Sequence, residues 1–156
     1  GSDDVHLVLC CPSVQWKRHR PFYSSLLDTR VVKIIHESGE AIKTHYKTAD
    51  AFCLIRNPVS YLDFAMPIKL FEAIGYGLPI IANRGTLAAK FIEDEGIGWV
   101  LESTEELKSF YHYLNNNRHI LEEKKYAVRL IRKKHTWVAR AKMAAEILSA
   151  PRHTQK

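Results

Sequence analysis

Between Asp63 and Asn83 the chain reads Asp-Phe-Ala-Met-Pro-Ile-Lys-Leu-Phe-Glu-Ala-Ile-Gly-Tyr-Gly-Leu-Pro-Ile-Ile-Ala-Asn. The order is loop, helix, tight turn and buried strand. Pro67 suits the first turn of a helix, where its missing N–H is not needed. Ile68, Phe71 and Ile74 supply a packing face. Gly75-Tyr76-Gly77 ends the helix and Pro79 forbids its continuation. Leu78 to Ala82 is then a short apolar strand. Two charges, Lys69 and Glu72, interrupt the apolar helix, and burying either without a partner would be costly.

The same alternation extends outward. Upstream, Val5 to Cys11 is a continuous apolar run of the kind buried on both faces of a parallel sheet. Trp16 to Leu27 reads as a helix, Val31 to Ile35 as a β-branched strand, and Ser38 is placed to cap a helix carrying Ile42, Tyr46 and Ala49 on one face. Ala51 to Ile55 is another buried strand. Asn57 to Met66 reads as a loop. Downstream, Gly85-Thr86 lead into a helix closed by Gly96, and Gly98 to Leu101 is a last strand. Ser103-Thr104-Glu105-Glu106 has the pattern of a capping box. The remainder is helical, with breaks near Asn115-Asn116-Asn117 and His135-Thr136, and residues 151–156 form a polar tail. The expected fold is α/β: a Rossmann-like parallel sheet flanked by helices, with a helical C-terminus, all within one domain over residues 1–150. In such sheets ligands bind beyond the carboxyl ends of the strands.

Length and composition agree with a globular domain. The 156 residues are 46% hydrophobic and 26% charged, with a formal net charge of +6. No apolar run reaches the roughly 18 residues of a membrane span. Cys10, Cys11 and Cys53 lack the spacing of a disulfide framework and are expected as small core residues of a protein in a reducing, cytoplasmic setting. No metal-ligand spacing occurs, so no metal is expected. Gly1-Ser2 reads as a cloning remnant, so the chain is expected to be cut from a longer one. The surplus charge collects in Lys17-Arg18-His19-Arg20 and in Lys124, Lys125, Arg129, Arg132, Lys133 and Lys134. Such clusters are solvated helix faces or attract an anionic membrane surface. No nucleic-acid-binding motif accompanies them, and no nucleic acid partner is expected.

Few residues carry chemistry. Glu72 in a partly desolvated place could accept two hydroxyl hydrogen bonds at once, as a vicinal diol requires; its spacing equally suits a surface pair with Lys69. Lys69 in the first turn opposes the helix dipole, which makes sense if an anion binds there; a snorkelling surface lysine fits the same spacing. Asn83-Arg84-Gly85-Thr86 follows a strand and opens a helix. Gly85 permits close backbone approach, the N–H groups of Thr86 and Leu87 would be free, and Arg84 adds charge, so this turn is a candidate diphosphate cradle or an ordinary helix cap. His36-Glu37-Ser38 follows the second strand and could meet a base edge or be a plain turn. His45, His112, His119 and His135 show no partner pattern. Trp99 and Trp137 read as packing anchors.

Taken in order, these segments resemble the C-terminal half of GT-B glycosyltransferases (glycosyltransferase group 1, family-4-like). Tyr46-Lys47-Thr48-Ala49-Asp50 is similar to their Tyr-x-x-Ala-Asp junction. Met66 to Ala73 followed by Gly77 to Ala82 resembles Pro-x-Lys-x-x-Glu … Gly-x-Pro-Val-Ile-Ala, Gly96 to Val100 resembles Gly-x-Gly-x-Val, and Thr136-Trp137 resembles the start of their last helix. The resemblance implies a domain that binds a nucleoside diphosphate sugar of UDP or GDP type, with no cofactor. It implies that Glu72 holds the ribose, that Pro67, Lys69, Gly85, Thr86, Leu87 and Arg84 lie at the diphosphate or sugar, and that His36 and Ser38 lie at the base. Lys69 and Asp63 become the candidate catalytic residues of a metal-independent, retaining hexosyltransferase in glycan or glycolipid synthesis. Its N-terminal acceptor domain would be missing and the fragment alone inactive. The expected location is cytoplasmic, with peripheral attachment to the inner face of the membrane. Two departures stand out: Phe64 occupies the place where many relatives carry an acid, with Asp63 beside it, and no Gly-Arg strand precedes Val5. A sugar-nucleotide epimerase-like domain, or a non-catalytic basic binding module, remains as an alternative.

Overall fold

The computed structural model describes residues 6–24, 31–57 and 59–149. Strand β1 (Leu7–Cys10) pairs in parallel with β2 (Val32–Ile35), Leu7 opposite Val32. Strands β3 (Phe52–Leu54), β4 (Ile80–Asn83) and β5 (Gly98–Leu101) form a second parallel ladder in that order. Helices α1 (Ser13–Tyr23), α2 (Glu40–Thr48), α3 (Ile68–Tyr76) and α4 (Leu87–Asp94) connect successive strands. After β5 come a 3-10 turn at Thr104–Glu106, α5 (Leu107–Asn116), α6 (Arg118–Ile131), a 3-10 turn at Arg132–His135 and α7 (Trp137–Ser149). This is the Rossmann-like α/β arrangement with a helical C-terminus that the apolar periodicities predict.

The core follows the two-residue period of β4, which is buried along its whole length. Ile80 and Ala82 face one side, where Leu70, Ala73 and Ile74 of α3, Ala88 and Ile92 of α4 and Val128 of α6 cover them. Ile81 turns to the other side, toward Leu101 and Leu114 of α5. Asp50, at the entry to β3, ties the sheet to α6 through Lys125 at 3.0 Å and Arg118 at 3.4 Å. Burial works to raise its pKa, but the Lys125 hydrogen bond and both cations outweigh that and hold it below the usual carboxylate value. Part of the basic C-terminal cluster is therefore structural: Lys125 serves this ion pair, and Lys124 donates to the Gly96 carbonyl at 3.0 Å.

Several sequence-based expectations are corrected. β1 is exposed at all four positions rather than buried on both faces. Among the described residues it pairs on one side only, so no second neighbour shields it. Cys10 is accordingly exposed, and Cys11 and Cys53 are partly covered. The first helix starts earlier than expected and accommodates Pro21 in its last turn; positions 25–27 of the expected helix lie outside the described residues. Ser38 does not cap α2, whose N-cap is Gly39, without a side-chain hydrogen bond. A 3-10 turn, Ser60–Asp63, occupies the loop before α3. Glu106 reaches the N–H of Glu102 rather than that of Ser103, while the Ser103 hydroxyl accepts from Glu105. Trp137 is 71% exposed rather than a packing anchor in the core. The expected tail, 151–156, lies outside the described residues. None of the described helices is long and apolar enough to cross a membrane.

Gly98 shows why the Gly-x-Gly turn sits where it does. A Cβ built there would stand 1.9 Å from the carbonyl oxygen of Ile80 on the neighbouring strand. That atom belongs to backbone in the centre of the sheet and cannot step aside. Gly98→Ala is expected to destabilise the domain by at least about 2–3 kcal/mol, read as a lowered midpoint in urea unfolding. An unchanged midpoint would show that β4 and β5 can separate here at little cost.

Candidate functional site

Helix α3 presents two stripes. Lys69, Glu72 and Tyr76 recur at the i, i+3, i+7 spacing, and Ile68, Phe71, Glu72 and Gly75 mark the adjoining one. Glu72 belongs to both and is the residue on which the site turns. The Tyr46 hydroxyl donates to its Oε2 at 3.1 Å and Lys69 Nζ donates to the same oxygen at 2.8 Å. Its Oε1 has no hydrogen-bond partner among the described residues. One carboxylate oxygen is thus committed to orientation and the other remains able to accept.

Tyr46 reaches Glu72 from α2 because its ring is fixed. It is buried, stacks on Tyr76 at 4.8 Å with 5° between planes, and lies 6.0 Å from the ring of Phe52. Burial, then the hydrogen bond and charge of Glu72, push its pKa above the ordinary phenol value, so it stays a donor across the working pH range. The Lys69 and Glu72 side chains are less enclosed than an apolar helix suggests, at 54% and 38% exposure. The pair therefore adds little stability of its own.

Two cavities flank Glu72. One, of about 270 Å³, is lined by Gly39, Lys43, Tyr46, Lys69, Glu72 and Tyr76. The other, of about 260 Å³, lies against Phe71, Glu72, Gly75, Arg132, His135 and Trp137. Each falls just below the usual range for small-molecule sites, from about 300 Å³ upward; the carboxylate is what they share.

The carboxyl ends of the strands supply the remaining candidates. Pro67 is the N-cap residue of α3, with no side-chain cap to fill the helix start. Asp63 is exposed at the end of the preceding 3-10 turn, beside the edge-to-face pair Tyr61 and Phe64. Gly85 takes φ 91°, which lets β4 turn into α4. Thr86 caps α4, its hydroxyl accepting from Ala89 N–H at 3.1 Å, and Leu87 opens the helix. Arg84 turns instead to Glu102 at 2.9 Å and Glu93 at 3.3 Å. His36 Nδ1 hydrogen-bonds the Cys11 carbonyl at 2.8 Å, which joins the loops after β1 and β2. Ser38 is exposed, and Gly39 next to it lines the first cavity. The structure brings the end of the His36–Gly39 loop, Lys69 and Glu72 to one cavity. Gly85, Thr86, Leu87 and Arg84 line neither cavity and sit at the start of the adjacent helix.

Three contributors escaped the sequence reading. Tyr46 was legible only as a core position. Asn83 is the buried polar residue of the core: its Oδ1 accepts from Arg56 N–H and its Nδ2 donates to Arg56 C=O, both at 2.8 Å. It clamps the β3 loop to the end of β4. Asn83→Leu leaves both Arg56 groups unpaired, and a loss of about 1–3 kcal/mol is expected in denaturant unfolding. An unaltered stability would mean that water replaces the clamp.

His135 is the third. It lies between Phe71 and Phe91, with ring centroids 6.1 and 5.2 Å away. Its Nε2 is buried without a hydrogen bond, and the nearest carboxylate oxygen, on Glu95, is 3.9 Å distant. Burial lowers its pKa below the ordinary imidazole value; Glu95 opposes this, and Arg140 and Lys134 reinforce it. Since the unfolded state takes the proton first, stability is present above about pH 6.5 and falls as the pH drops through that value. His135→Gln is expected to flatten this part of the stability–pH curve relative to the parent. Parallel curves for the two proteins would show that His135 is not the group responsible.

The family model for the glucosyltransferase 3-like C-terminal domain matches residues 50–134. No curated protein matches the chain. Among solved structures, the crystal structure of WaaG, a glycosyltransferase involved in lipopolysaccharide biosynthesis, superposes with a TM-score of 0.66 at 16% sequence identity. The match covers 96% of this chain and 48% of that one, so the chain spans about half the length of this structural relative. The likeness shows a shared GT-B fold, and with the family match it means that the chain belongs to the glucosyltransferase 3-like family and comprises its C-terminal domain.

Proposed function

We propose that this domain binds the nucleoside diphosphate sugar donor, of UDP or GDP type, of a metal-independent, retaining hexosyltransferase. The observation that carries the reading is Glu72, oriented through one carboxylate oxygen by Tyr46 and Lys69 while the other can accept from a ribose diol. The ribose would lie on Oε1, with the base toward Gly39 and the His36–Ser38 loop. The diphosphate would lie at the starts of α3 and α4, near Pro67, Gly85 and the N–H groups of Thr86 and Leu87. Lys69 is half-exposed on a flexible stem, so its ammonium can turn to a diphosphate oxygen without releasing the helix. Charge then accumulates on the departing diphosphate where a cation and helix-terminal amides face it. Asp63 would meet the transferred sugar. Arg84 would have to leave Glu93 and Glu102 before it could contribute.

The acceptor site is assigned to a separate N-terminal domain, so this domain alone is expected to be inactive in transfer. The name of the structural relative supports a glycan or glycolipid product. The exposed cations Arg132, Lys133 and Lys134 fit cytoplasmic placement against an anionic membrane surface.

Calorimetric titration with UDP, GDP and ADP tests the reading. Heat is expected with UDP or GDP. Glu72→Ala should weaken binding about ten- to a hundredfold, the scale of hydrogen bonds to a charged group. Tyr46→Phe, which leaves the carboxylate but frees its orientation, should weaken it less. Silence with all three nucleotides overturns the proposal.

A further inference from the structure

The start of α7 is held to the domain by aromatic packing. His135 ends the 3-10 turn Arg132–His135, and its ring sits between Phe71 of α3 and Phe91 of α4. Thr136 follows and caps α7, its hydroxyl accepting from Ala139 N–H at 3.1 Å and its carbonyl from Arg140 N–H at 3.0 Å. Arg140 then lays its guanidinium 3.9 Å above the same Phe71 ring. Within α7 only Ala139 and Arg140 are partly buried. The attachment of α7 therefore converges on Phe71.

That arrangement suits a neutral imidazole. The Nε2 of His135 is buried and has no hydrogen-bond partner among the described residues. An imidazolium carries a charge and two N–H donors, and a buried charge needs both a counter-ion and an acceptor. The charges around it are unevenly divided. Glu95, at the end of α4, stands 3.9 Å from Nε2, beyond hydrogen-bond reach, and its side chain is 32% exposed. Arg140 of α7 and Lys134 of the same turn oppose a proton. Arg132 and Glu72 border the cavity beside His135. Helix α6 enters the turn through Ile131, while its Arg129 lies against Tyr126 and near Gly77 instead. Burial and two cations thus outweigh one distant carboxylate and hold the imidazole pKa below its ordinary value.

We propose that His135 is a proton-operated latch: protonation puts a second cation on the Phe71 ring beside Arg140, and the 132–140 segment leaves α3 and α4, carrying α7 with it while the sheet stays folded. Release also opens the cavity beside Glu72, which this segment walls with Arg132, His135, Thr136 and Trp137. The latch needs no nucleotide and stands whether or not one binds. Once released, His135 regains the ordinary imidazole pKa of about 6.5. Protons therefore favour the released form. The ratio of released to latched molecules rises by up to about tenfold for each pH unit below about 6.5, until the latched form itself takes the proton. Above that pH the ratio is constant.

NMR of the 156-residue chain between about pH 8 and pH 5 reads both halves of the latch. In the latched form the Arg140 side-chain protons lie over the Phe71 ring and are shifted upfield by its ring current; Phe71→Leu, which removes the ring, identifies that shift. The shift is expected to shrink severalfold as the pH falls, while the amides of Leu54 and Ile81 in the sheet stay protected from exchange. His135→Gln, which takes no proton in this range, should keep the shift at pH 5. Glu95→Gln, which removes the one acid opposing release, should make its loss at pH 5 more complete. An upfield shift that persists at pH 5 in the parent overturns the proposal; if His135 titrates meanwhile, Glu95 has captured the proton and tightened the contact. Equal loss of the shift in His135→Gln overturns it too, by assigning the change to another group. Loss of sheet protection in step with the Arg140 shift would replace local release by global unfolding and likewise end the proposal.

Discussion

One carboxylate organises the candidate site. Glu72 would be an ordinary half-exposed glutamate on a short helix if Tyr46 did not hold one of its oxygens. That hydrogen bond requires α2 and α3 to lie side by side with the Tyr46 ring clamped between Phe52 and Tyr76. The stacking in turn requires β3 and the end of α3 to be in register. The position of a single oxygen thus depends on a strand, two helices and three aromatic rings. Such rigid support is what a binding group needs, because an acceptor that must first find its place loses affinity to its own rotamers.

The carboxyl edge of the sheet is held by different means. There the backbone leaves regular structure and its polar groups need partners. Asn83 serves Arg56, His36 serves Cys11, and Thr86 serves its own helix. The first two close one loop onto another, and the third caps the helix that follows its loop. The loops that would surround a ligand are thereby anchored before any ligand arrives. Arg84 takes no part in this and spends its charge on two carboxylates at the rim.

What could be read from the sequence divides by the range of the interaction. Strand–helix alternation and the Gly77 turn depend on neighbours within one or two turns, so periodicity and glycine spacing disclose them. The Lys69–Glu72 pair was legible for the same reason, though its exposure was not. The Tyr46–Glu72 bond spans 26 positions and the Asn83–Arg56 clamp 27. Nothing local distinguishes a tyrosine that packs from one that packs and also donates. The misreading of Val5 to Cys11 has another origin. Its residues are those of a buried strand, but burial is conferred by neighbours, and among the described residues β1 has only one. His135 has no partner pattern in its own stretch of sequence, because its environment is made by two rings from α3 and α4.

Helix α7 draws its attachment from its first residues alone. Thr136 caps it, and the Arg140 guanidinium lies 3.9 Å above the Phe71 ring. From Ala141 to Ser149 every residue is exposed, among them Met143, Ile147 and Leu148. A helix of this length is marginal in water without tertiary support. Its far half is therefore held together mainly by the intrinsic preference of its alanines, so unwinding there costs little. Any surface that later covers those apolar side chains must also meet the entropy of making that half of the helix permanent.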